Sequence, residues 1–175
     1  MLSSWENFYV IVGSSGGALI GLQFVVITLI ASRRNLATAG ALSAFGTPTV
    51  VHLTGALLVS ALMSAPWPSL TALSTAIAIS GLAGLTYGAI VVRRALRQTD
   101  YQPVWQDWLW YTLLPNVVYA TLTATAILLQ TNPQLALFVI GAVAIGLLFI
   151  GIHNAWDTVT HVVVSSSGDD TTKVK

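Results

Sequence analysis

The chain has 175 residues, of which 55% are hydrophobic and only 7% are charged, with a formal net charge of +1 and no cysteine. An ordinary soluble domain carries about 25% charged residues, so a water-exposed surface is excluded and lipid is the expected solvent. The small net charge gives no case for nucleic acid or an acidic substrate, and the lack of cysteine excludes disulfides, thiol catalysis and thiolate metal sites.

A bilayer core about 30 Å thick takes about 20 apolar residues per helix. The opening "MLSSWENFYV" has no basic leader, so the first apolar run, 8–31, reads as a retained helix rather than a signal peptide. Glu6 precedes it and favours the helix N-terminus. Residues 35–47, "NLATAGALSAFGT", read either as a short interfacial helix or as the start of the second span. Thr47 followed by Pro48 has the pattern of a cap and a first helical residue, which places the second span at 48–65. The third run is 69–92, the fourth about 107–129, and the fifth extends from near Gln134 to about Val163. The tail "SSSGDDTTKVK" is small and polar and is expected to be disordered. The predicted fold is an all-α polytopic bundle of five transmembrane helices, one domain over 1–164 with a cytoplasmic tail over 165–175.

The links alternate in charge. Arg33 and Arg34 follow the first run, Arg93, Arg94 and Arg97 the third, and Lys173 and Lys175 the fifth, while "PWP" (66–68) and "QTNP" (130–133) hold no basic residue. Basic residues stay on the cytoplasmic side, so the N-terminus is expected outside and the C-terminus inside. Trp5 and Trp67 then fall at the outer boundary, and Trp105, Trp108, Trp110 and Trp156 at the inner one, the layer that amphipathic indoles prefer.

Lipid gives helices no hydrophobic reason to associate, so close packing must hold them. Two stripes of small residues suit that role: Gly13, Gly17 and Gly21 in the first run, and Ser80, Gly84 and Gly88 in the third. They serve contacts within the bundle or between subunits of a homo-oligomer.

Polar groups inside hydrocarbon need partners and mark functional candidates. Gln23, His52, Asn116, His153, Asn154 and Asp157 all fall in the expected cytoplasmic half, as a possible ion or proton site. Asn116 follows Pro115, whose ring leaves the Tyr111 carbonyl without its helical donor. His153, Asp157 and His161 are spaced by four and share a helix face, so Asp157 can accept from His153 and set its tautomer. Three readings stay open for this group. It is a hydrogen-bonded network that positions the end of the fifth helix, a proton or ion relay towards His52, or a metal site of His153, Asp157 and His161. The hydroxyls of Thr121, Thr123 and Thr125 alternate around the fourth run and are expected to bond back to helix carbonyls. No phosphate-binding loop, zincin motif or nucleophile elbow is present, and no catalytic residue or cofactor is assigned.

Three segments, "GGALIGLQFVVITL" (16–29), "FGTPTVVHLTGALLVSALMSAPW" (45–67) and "GIHNAWDTVTHVV" (151–163), resemble a family of small bacterial integral membrane proteins described as hypothetical or uncharacterised. The resemblance covers most of the chain. It implies a bacterial inner membrane and brings no activity. The function expected from the residues is an oligomeric pore or carrier for protons or a small solute. The alternative is a non-catalytic scaffold or assembly protein. A membrane enzyme acting on lipid or quinone rests only on His153 and Asp157 as an acid/base pair.

Overall fold

The computed structural model describes residues 2–32, 47–97 and 105–172, with the backbone alone for 30–32 and 161–172. The described residues are helical apart from short links, and none forms a strand. A 3-10 turn, Leu2–Trp5, leads into α1, Glu6–Ser32. Helix α2 is Thr47–Ser64, and α3 is Leu70–Arg97. Helix α4 spans Trp105–Thr131 and contains one π-helical segment, Leu109–Leu113. Helix α5 is Pro133–Thr172. All five are long and apolar enough to cross a membrane.

Glu6 stands in the first turn of α1 and Pro48 in the first turn of α2, as the charge and backbone rules require. The alternatives for 35–46 fall outside the described residues, as do Arg33, Arg34 and the two C-terminal lysines. The backbone of α5 stays helical to Thr172, beyond the boundary at 164 expected for the tail.

The main helix pairs are α1 with α2, α2 with α5, α5 with α4, and α4 with α3. A smaller contact between α2 and α3 closes the last four into a ring, and α1 lies outside it against α2 and α5. Close approaches place Gly81 against Thr123, Gly84 against Tyr119 and Gly88 against Asn116, so α3 and α4 run antiparallel. In the same way Gly55 meets Leu147 and Gly151 meets Leu53, which sets α2 antiparallel to α5. One end of the bundle therefore gathers the N-terminus and the 66–68 and 132 links. The other receives the arginines that end α3.

The core runs through Val59, Leu73, Ile77, Leu122, Leu129, Ile140 and Leu147, all at most 1% exposed. At the N-terminal end Trp5 packs edge-on against Phe8 and Phe138. A Cβ on Gly141 would lie 2.9 Å from the Trp5 ring, so that glycine is the seat of the indole.

Within the bundle the small-residue stripes are used only in part. Gly13 faces Ser60 and Gly16 faces the α2 backbone at Leu53, but among the described residues Cβ atoms on Gly17 and Gly21 would meet nothing within 4 Å. A spacing of four precesses around a helix of 3.6 residues per turn, so Gly17 and Gly21 rotate away from α2 while Gly16 stays on it. In α3 the packed set is Gly81, Gly84 and Gly88; Ser80 instead donates its hydroxyl to Ala76 O at 2.8 Å.

Candidate functional site

The polar residues form two neighbouring groups rather than one. The first lies in the core. His52 projects from the buried face of α2 and is 2% exposed. Its Nδ1 is 3.3 Å from the hydroxyl of Tyr119 on α4. The tautomer decides which of the two donates. The Tyr87 ring of α3 stands edge-on to the imidazole at 6.4 Å. Among the described residues His52 Nε2 is buried without a hydrogen-bond partner. Glycines make this meeting of three helices possible. A Cβ on Gly84 would overlap the Tyr119 ring, and one on Gly55 would come within 2.9 Å of its hydroxyl.

The second group joins α4 to α5 at the end of the bundle where α3 finishes. Tyr111 donates its hydroxyl to Asp157 Oδ2 at 3.1 Å. The Trp110 indole stacks on the His153 imidazole, with centroids 3.7 Å apart and planes 7° from parallel. Consecutive residues on a regular helix point about 100° apart. The π segment Leu109–Leu113 spreads the turn, and both Trp110 and Tyr111 reach α5 from it.

Pro115 explains the π segment. It has no N–H to return to the preceding turn, and Leu114 N–H instead reaches back to Leu109 O. Side chains repair the loosened ladder: Thr112 donates its hydroxyl to Trp108 O, and Asn116 Nδ2 donates to Thr112 O at 2.7 Å. Asn116 thus serves its own helix, with its Oδ1 against Gly88. The hydroxyls of Thr121, Thr123 and Thr125 also return to carbonyls one turn back, at 2.6–2.9 Å.

The expected bond between His153 and Asp157 is not the one formed. Tyr111 occupies Asp157 Oδ2, and His153 Nδ1 is buried without a partner. Neighbouring aromatic side chains on α4 decide both orientations. Asn154 sits on a different face of α5 and is fully buried, with neither amide atom hydrogen-bonded. Gln23 is half-buried on α1, and among the described residues no hydrogen bond joins it to His52, Asn116 or Asp157. Among those residues no three His, Asp or Glu side chains gather as metal ligands, and the side chain of His161 lies outside them.

No family model, curated protein or solved structure matches this chain.

Tyr119, Tyr111 and Trp110 are not among the site residues expected from sequence. Tyr119 carried a usable signal. Tyrosine belongs at the water boundary of a membrane, and one in mid-span has to find a hydrogen-bond partner. Trp110 carried none, since it stands where an interfacial indole is expected.

Proposed function

We propose that this is a small integral membrane protein of a bacterial inner membrane that acts as an oligomeric carrier for protons or a small solute. Its five helices cross the bilayer with the N-terminus outside and the C-terminus in the cytoplasm, an orientation supported by the alternation of basic residues along the chain. The resemblance of the 16–29, 45–67 and 151–163 segments supports the bacterial assignment.

One observation carries the reading: His52 is buried among apolar helices with Nδ1 at the Tyr119 hydroxyl and Nε2 without a partner. A titratable group in hydrocarbon is expensive to keep. A second titratable group, Asp157, lies nearer the end where α3 terminates and is held by Tyr111. The pair supports a short path from the cytoplasmic boundary into the core.

The test is flux into proteoliposomes loaded with a pH-sensitive dye. His52→Gln and Asp157→Asn keep side-chain size and polarity but remove titration. Both are expected to cut proton flux tenfold or more while the protein elutes as the wild type does. Wild-type flux in both variants removes the carrier reading.

The second reading, a scaffold or assembly protein, is supported by the face of α1 around Gly17 and Gly21, which among the described residues no other helix contacts. A stable co-purifying partner favours it, and a purely homomeric particle counts against it.

A further inference from the structure

The Asn154 side chain has no solvent exposure, and among the described residues neither its amide nitrogen nor its amide oxygen has a hydrogen-bond partner. Buried amides are almost always paired, and an unpaired one in a membrane interior has no lipid atom to bond to. Its position can be read from the helix register. Leu147, Gly151 and Asn154 lie on one face of α5, at i, i+4 and i+7. Gly55 meets Leu147 and Leu53 meets Gly151, so Asn154 comes one turn further along, level with the first turns of α2. His52 belongs to that same buried stretch of α2, which also holds Thr49 and Leu53, and among the described residues its Nε2 is likewise buried without a partner.

We propose that Asn154, with His52 Nε2, forms an internal binding site for water between α2 and α5. The chemistry selects this ligand. The amide offers N–H donors and a carbonyl acceptor on one small head, so its ligand must both accept and donate. The complete burial of Asn154 restricts it to the size of a single small molecule. A metal cation finds no carboxylate here, because Asp157 is turned towards Tyr111 on α4. An organic solute has no room beside the Leu53–Gly151 contact, where a glycine is already needed. On the carrier reading, on which this last step alone rests, the site names protons passed over internal water as what is moved.

The test uses the wild-type chain, 15N-labelled, in lipid bilayers. Water-edited solid-state NMR measures how fast polarisation passes from water to the Asn154 side-chain NH2, assigned by its loss in Asn154→Leu. Transfer several-fold faster than to the backbone amides of Leu129 and Ile140, both in the dry core, is the expected result. Transfer as slow as theirs overturns the site. Proton flux through Asn154→Leu separates the two claims. A wet Asn154 with wild-type flux in the variant upholds the water site and overturns the passage of protons over it.

Discussion

The Tyr119 hydroxyl lies 3.3 Å from Nδ1 of His52 and ties α4 to α2 across the core of the bundle. Tyr119→Phe leaves the ring in its seat on Gly84 but removes this tie. Hydrogen bonds between membrane helices are worth about 0.6 kcal/mol, so unfolding in mixed micelles is expected to show a loss of that order. A much larger loss would mean that the hydroxyl has a second role. On the carrier reading, Tyr119→Phe also lowers proton flux, which the same proteoliposome assay reads.

Gly84 and Gly21 make opposite predictions although both stand in small-residue stripes. A methyl at Gly84 would overlap the Tyr119 ring, and among the described residues one at Gly21 would meet nothing within 4 Å. Overpacking a filled contact costs about 1–3 kcal/mol, whereas a change at an open position stays within about 0.5 kcal/mol. Thermal denaturation of Gly84→Ala and Gly21→Ala in the same detergent checks this. If Gly21→Ala instead weakens oligomer assembly without changing the protomer, the open face of α1 is a subunit contact.

Asp157 and Tyr111 form a pair whose coupling can be measured. Asp157→Asn and Tyr111→Phe each remove or weaken one hydrogen bond at 3.1 Å. A double-mutant cycle on stability is expected to give a coupling of about 0.5–1.5 kcal/mol. A coupling of zero would mean that Tyr111 and Asp157 act apart. The cycle also tests the π segment, because Tyr111 depends on it for its direction towards α5.

The proposed orientation rests on the charge pattern and is open to direct labelling. The chain has no cysteine, so each introduced thiol is the sole reactive site. Asn132→Cys, in the link between α4 and α5, is expected to react with a membrane-impermeant maleimide in intact cells. Arg97→Cys, at the end of α3, is expected to react only after lysis. Equal labelling of both before lysis, or the reverse pattern, overturns the assignment of outside and inside.

The sequence by itself determined the number and apolar character of the five helices and roughly where each lies along the chain. Each of these is local: hydrocarbon demands an unbroken apolar run whose backbone bonds are satisfied within the segment. It also placed His52, Asn154 and Asp157 at similar depth, because depth follows from position along a helix. Only the tertiary structure decided which helix faces meet. In a soluble bundle an apolar stripe marks the inward face, but here Ile11, Ile79, Ile127 and Phe149 are exposed and as apolar as the buried Ile77 and Ile140. Lipid and core select the same side chains, so the pattern carries little information about direction. That is why the partnership of His52 with Tyr119, the choice of Gly81 over Ser80, and the turn of Trp110 and Tyr111 towards α5 became visible only once the helices were packed.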